Sequence, residues 1–247
     1  PEAVLAMPVT GDYPEKDFTS VADPDMLLRP DPNTLRPVPW AKEPTAQIIH
    51  DCFTFDGNAV DLSPRNVLRR VLRLYADEGW KPVVAPEMEF YLVQVEADED
   101  IPLKPPVGRT KRTEAGMQSF SMDAINEYDD IFDVMYDWCE AEGIQLDTLI
   151  HEMGTAQMEI NLDHGDPLPL ADQVFLFKRT IREAALRHDC YATFMAKPIA
   201  EEPGSAMHIH QSIVNRVTGE NIFSDEQSES GFSELFNNYF FVPTPYL

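Results

Sequence analysis

An α+β arrangement is predicted by three observations on this chain. Helical apolar stripes and alternating strands follow one another without a regular strand–helix–strand repeat. Three strand-like pieces, residues 86–91, 156–161 and 207–211, set acids or histidines on one face against apolar residues on the other. An apolar content of 43% over 247 residues is enough for a substantial core in one large domain or two smaller ones.

The elements follow in order. Residues 1–40 are rich in Pro and Asp, and Pro24, Pro30, Pro32, Pro37 and Pro39 exclude a long helix. Loops with short edge strands are expected there, anchored by Met26, Leu27, Leu28, Val38 and Trp40. Residues 45–55 read as one strand, stopped by Asp56-Gly57-Asn58. Ser63 and Pro64 open a helix whose stripe is Val67, Leu68, Val71, Leu72 and Tyr75, with Gly79 as its stop. Its Arg65, Arg69, Arg70 and Arg73 read as a solvated face, or else as an anion site.

Residues 83–94 form the strand that carries Glu87 and Glu89. A long polar loop, 96–118, precedes a helix from about Ser121 to Gly143 with a core stripe of Ile125, Tyr128, Ile131, Phe132, Met135, Trp138 and Cys139. Residues 147–162 form a hairpin bearing Glu152 and Glu159. A helix over 170–187, a strand over 191–196 and the histidine strand over 207–214 complete the order.

Composition excludes several functions. With 43 acids, 19 bases and a net charge of −24, the chain is unsuited to nucleic acid or anionic membranes. No apolar run approaches the roughly 18 residues of a membrane span. The chain opens at Pro1, so an N-terminal targeting segment could have been lost. Cys52, Cys139 and Cys190 are odd in number and lack CxxC spacing, which suits buried small hydrophobes in a reducing cytoplasm. There is no G-x-G-x-x-G or P-loop, so any nucleotide binds by another route.

The acids on strands point to a metal. Carboxylates side by side repel unless a cation lies between them, and the clustered set is Glu87, Glu89, Glu152, Glu159, His208 and His210. Oxygen donors with an occasional His suit Mg²⁺ or Mn²⁺, and no Cys lies near the acids. Glu152 and Glu159 differ in strand parity, so a turn or bulge at Gly154 is needed to bring them together. His50, His151, His164 and His188 lack such company.

Four segments then resemble the glutamine synthetase family: Asp23-Pro24-Asp25-Met26 through Val38-Pro39-Trp40; Pro86-Glu87-Met88-Glu89-Phe90; residues 152–159; and residues 204–212, with Met207-His208-Ile209-His210-Gln211-Ser212 at their end. The likeness runs from near residue 10 to about 236. It implies an N-terminal β-grasp domain, here partial over 1–60, followed by a catalytic domain over 61–247 with a curved antiparallel sheet flanked by helices. It implies a cytoplasmic ligase that joins the γ-carboxylate of glutamate to ammonia or an amine, using ATP and two or more Mg²⁺ or Mn²⁺ ions. It also implies a homo-oligomer of stacked rings, a dodecamer, with sites at subunit boundaries.

By the same likeness Glu89, Glu152 and Glu159 are ligands of one metal, and Glu87 and His208 of a second. His210 and Ser212 resemble residues that meet ATP, and Gly204 a loop glycine that meets glutamate. Asp12 resembles the acid a neighbouring subunit contributes to the amine site, a catalytic role it shares with Glu152.

Two departures bear on the amine. The stretch between Glu152 and Glu159 is Met-Gly-Thr-Ala-Gln-Met, and Pro203 precedes the histidine strand. Both look more like the γ-glutamylpolyamine (γ-glutamylputrescine) synthetase branch than like ammonia-using members. An ammonia-using enzyme, and a non-catalytic structural or sensor protein of the same fold, remain the alternatives. Further family motifs are not legible here, and residues 241–247 do not resemble the expected continuation, so the chain reads as incomplete and not competent alone.

Overall fold

The computed structural model describes residues 1–13, 22–95 and 101–240. Residues 96–100 of the expected long loop and the tail at 241–247 lie outside them. The chain divides into two compact units: Arg36–Ala46 with Val83–Gln211, and Pro1–Leu35 with Gln47–Pro82 and Ser212–Leu247.

The second of these contains short strands and helices. β1 (Leu27–Pro30) comes before two brief strands, β2 (Arg36–Pro37) and β3 (Ala46–Gln47), and pairs antiparallel with β4 (His50–Phe53). The single strand expected over 45–55 is therefore split. Ile49 turns to the preceding loop instead, donating its N–H to Thr34 Oγ1 at 2.8 Å and accepting from Asp31 N at 2.9 Å.

The first helix, α1 (Pro64–Asp77), starts on Ser63 and Pro64 as expected and gives way to Gly79, whose φ of +76° favours glycine. Ser63 makes no side-chain cap bond. Val67 and Val71 of its stripe are exposed, and its one buried residue is Asn66, which donates to the carbonyls of Cys52 and Val60. Arg70 and Arg73 are exposed, as a solvated face would have them, while Arg65 and Arg69 are half-buried. Arg65 bonds Asp31 at 2.8 Å and Asp51 at 2.5 Å, Arg69 reaches Asp51 at 2.5 Å, and Arg70 reaches Asp61 at 2.7 Å. They are internal ion-pair partners because the Asp-rich loops lie against the helix.

The other unit is built on a sheet. Its long strand β5 (Trp80–Gln94) is followed by α2 (Met122–Asn126), α3 (Asp129–Glu142), β6 (Leu146–His151), β7 (Gln157–Leu162), α4 (Pro167–Leu186), β8 (Cys190–Thr193) and β9 (Met207–Asn215); a last helix, α5 (Glu234–Phe240), belongs to the first-described unit. The sheet runs β6-β7-β5-β8, and β9 also pairs with β5. β5 and β7 are antiparallel, with Glu87 opposite Asn161, Met88 opposite Ile160 and Glu89 opposite Glu159.

One face of this sheet is the core. Met88, Phe90, Leu92, Met158 and Ile160 are buried beneath Phe132 and Met135 of α3 and Phe177 and Ile181 of α4. Phe90 sits edge-on to Phe177 with ring centroids 6.3 Å apart.

The expected helix over 121–142 is broken between α2 and α3. Glu127 accepts the Arg109 N–H on its carbonyl, and its carboxylate accepts from the Thr110 N–H and hydroxyl. These bonds to the loop displace the helical ladder there. Gly143 closes α3 in the left-handed conformation, and all three cysteines are free and buried.

Candidate metal centre

The strands place acids on the sheet face opposite the core. Glu87, Glu89 and Tyr91 share a face of β5, and the antiparallel register sets Gln157, Glu159 and Asn161 of β7 on the same side. Packing of the alternate residues fixes this orientation, because a one-residue slip would put the carboxylates into the core.

Glu87, Glu159 and His208 each offer a donor atom, all within 4.8 Å of one another. His208 Nδ1 lies 3.6 Å from Glu87 Oε2 and 3.9 Å from Glu89 Oε1, and His210 Nε2 lies 2.8 Å from Glu87 Oε1. The convergence thus crosses the grouping expected from sequence, which set Glu87 and His208 apart from Glu89, Glu152 and Glu159.

Glu159 is 7% exposed. Burial, then the neighbouring charges of Glu87, Glu152 and Glu89, push its carboxyl above the ordinary range. A divalent cation there would offset this burial and repulsion and favour the ionised form. Two acid oxygens and an imidazole nitrogen, with Glu89 Oε1 3.9 Å from that nitrogen, fit a hard divalent ion such as Mg²⁺ or Mn²⁺.

Glu89 is held by its other oxygen. Its Oε2 accepts from Gln157 Nε2 and from Ala206 N, each at 3.0 Å, which leaves Oε1 toward His208. Glu152 stands in the turn between β6 and β7, its N–H bonded to the Gln157 carbonyl and its Oε2 accepting from Met153 N. Glu152 is near enough for its charge to act on the Glu159 carboxyl, and the turn containing Gly154 lies between the two in the chain.

Several residues outside the expected set organise the site. Gln157, 1% exposed, is held through both ends of its amide: Nε2 donates to Glu89 and to the Gly204 carbonyl, while Oε1 accepts from Gly154 N and lies 3.2 Å from Tyr91 Oη. Tyr91 Oη lies 2.6 Å from the Pro203 carbonyl as well. Gly154 permits this closeness, since a Cβ there would lie 2.1 Å from Tyr91 Oη. Thr155 donates its hydroxyl and N–H to Glu202, which ties the turn to the segment before β9.

His151, which the sequence left without company, is fully buried beside Glu114. Burial opposes its protonation, but the Glu114 carboxylate outweighs it and raises the imidazole's affinity for a proton. Gln157 had a sequence signal, its place on the acids' own face in the strand alternation. Glu114 had none, being 38 residues before Glu152 in an irregular segment.

Three expected site residues stand apart from this cluster. Gly204 lies in the loop before β9 and supplies the carbonyl to Gln157; a Cβ on it would meet the Ala196 carbonyl at 2.9 Å. Ser212 and Asp12 belong to the other unit, where Asp12 is exposed and accepts from Thr10 Oγ1 at 2.7 Å. One premise is corrected. Met207 and Ile209, expected to pack behind the two histidines, are 52% and 58% exposed, because among the described residues no element covers that stretch of β9.

A sheet that presents clustered carboxylates and a histidine on an edge strand has the donor set that a divalent cation would suit. Residues 61–240 match the family described as glutamine synthetase, catalytic domain, and the chain belongs to the glutamine synthetase family. It is 35% identical over 233 residues to γ-glutamylputrescine synthetase PuuA of Escherichia coli, covering 93% of this chain and 49% of that protein. It is 34% identical to a glutamine synthetase of Halobacterium salinarum (88% and 46%) and 34% identical to a glutamate–isopropylamine ligase of a Pseudomonas species (87% and 46%). The solved structure of apo GmaS superposes with a TM-score of 0.73 at 28% identity, over 87% of this chain and 48% of that one. The chain thus spans about half the length of the curated relatives it matches. Among the described residues no helix is long and apolar enough to cross a membrane.

Proposed function

We propose that this chain is the larger part of the catalytic half of an ATP-dependent ligase that forms γ-glutamyl amides from glutamate and an amine. The convergence of Glu87, Glu159 and His208 on one sheet face carries this reading. In the proposed division, residues 1–60 are a partial N-terminal domain and residues 61 onward the catalytic domain. Active sites lie between subunits of a stacked-ring homo-oligomer in the cytoplasm.

Glu87, Glu159 and His208 would hold a divalent cation, with Glu89 and Glu152 as further ligands of the metal site. Bound there, the cation supplies charge neutralisation for the glutamate carboxylate and the phosphoryl group of ATP. Gln157 and Ala206 fix Glu89 so that one oxygen stays available to the site. The Gly204 loop receives glutamate, and His210 and Ser212 stand beside ATP. The glutamate γ-carboxylate attacks the ATP γ-phosphorus, ADP leaves, and the amine displaces phosphate from γ-glutamyl phosphate. Asp12, contributed to the neighbouring subunit, takes up the proton the amine loses, while Glu152 serves catalysis as a ligand of the metal site.

Two amine-using relatives and the Met-Gly-Thr-Ala-Gln-Met turn support an organic amine. The Halobacterium salinarum relative, at nearly equal identity, favours ammonia as the second reading. Phosphate release from ATP by the full-length protein, with glutamate and Mg²⁺, separates them when ammonia, putrescine, longer polyamines and monoamines are compared. Putrescine or another organic amine should give the highest kcat/KM. Turnover with ammonia alone sinks the amine reading, and none with any acceptor sinks the ligase reading.

A further inference from the structure

We propose that Glu114 and His151 form a positioning clamp that sets the 152–156 turn and through it the place of the Glu152 carboxylate in the metal site. The inference rests on the metal reading above.

Glu114 belongs to the irregular segment before α2, far in sequence from every acid of the site. Its side chain is 4% exposed and that of His151 is 0% exposed. A carboxylate and an imidazole so deeply buried are costly unless each is bonded. Glu114 Oε2 lies 3.1 Å from His151 Nε2 and accepts from Ala156 N at 2.9 Å. His151 Nδ1 lies 2.7 Å from the Glu152 carbonyl, so that nitrogen carries a proton and donates.

One carboxylate therefore grips both ends of the turn: residue 156 directly, and residue 152 through the imidazole. The turn needs this grip. Ala156 is held at φ +56°, a left-handed conformation that a non-glycine residue adopts at a cost. Three backbone bonds also tie the turn: Glu152 N to the Gln157 carbonyl, Gln157 N to the Gly154 carbonyl and Leu92 N to the Ala156 carbonyl. They fix neither the Glu152 carbonyl nor the Ala156 N–H, which are the two groups the clamp takes. Partners that orient a metal ligand from behind change metal affinity by about 10- to 100-fold when removed.

Mn²⁺ binding to the full-length protein, followed by the loss of the free-ion electron paramagnetic resonance signal well below the melting temperature, tests the clamp. Glu114→Ala should weaken Mn²⁺ about tenfold or more, and by no more than Glu152→Gln does. Ile181→Val, a core change away from the turn, should lower the melting temperature and leave Mn²⁺ affinity within about twofold. Should Glu114→Ala fail to fold, Glu114→Asp, which withdraws the carboxylate by one methylene, should show the same weakening.

An affinity for Mn²⁺ in the Glu114 variants within about twofold of the unmodified protein overturns the clamp. So does a loss matched by Ile181→Val, or one exceeding that of Glu152→Gln. Failure of the unmodified protein to bind Mn²⁺ overturns the metal reading, and the clamp with it.

Discussion

At the scale of single residues, the site separates donors from the groups that aim them. Glu159 is the donor most in need of a cation, being buried among Glu87, Glu89 and Glu152. Glu159→Gln should reduce Mn²⁺ affinity by more than about tenfold while leaving the apo protein as stable or more so, since a buried repelling charge is removed. A melting curve without metal and a Mn²⁺ titration check the two halves. Gln157 should behave in the opposite way. Gln157→Leu strips Glu89, the Gly204 carbonyl and Gly154 N of their partners, and should cost about 2 kcal/mol of stability in urea unfolding as well as metal affinity. Glu87, Glu89 and Glu159 were legible in the sequence because strand alternation places acids predictably. Glu114 was not, because nothing local marks a residue whose partners lie 37 and 42 positions away.

Elements differ in how far their own sequence decided them. α1 and the hairpin of β6 and β7 follow from local signals: Ser-Pro at a start, glycine at a stop, alternation on either side of a turn. The 45–55 strand and the 121–142 helix were each divided by bonds to distant loops, to the Thr34 hydroxyl in one case and from the N–H groups of Arg109 and Thr110 in the other. The turn itself depends on Gly154. Gly154→Ala drives a methyl into Tyr91 Oη and Gln157 Oε1, and should cost about 2 kcal/mol and weaken Mn²⁺ together.

On α1, burial works against the Asp51 charge, but Arg69 and Arg65 outweigh it; Asp31 is lowered chiefly by its bond to Arg65. Both carboxyls thus titrate below the ordinary aspartate value of about 3.9. Their contribution is complete above that value and is lost as the pH falls through the lowered folded values. Arg65→Met should therefore cost about 2 kcal/mol at pH 7 and progressively less below about pH 4, as read by urea unfolding across pH.

For the whole molecule, the ligands come from β5, β7 and β9 of one sheet, so metal binding and the folding of that sheet are linked. At 100 times its dissociation constant, a single Mn²⁺ should add about 2.7 kcal/mol to the unfolding free energy. The melting temperature should rise with Mn²⁺ in the unmodified protein and rise clearly less in Glu159→Gln at the same Mn²⁺ concentration; equal rises in both would remove Glu159 from the ligand set. The sequence by itself determined the α+β class, the sheet face that carries the acids and the family, since period-two alternation and short motifs are local properties of the chain. Only the tertiary structure decided which donors converge, joining Glu87 with Glu159 and His208, and what holds them, through Gln157, His151 and Glu114. Cross-strand register and long-range hydrogen bonds set those distances, and neither is written in the spacing of residues along the chain.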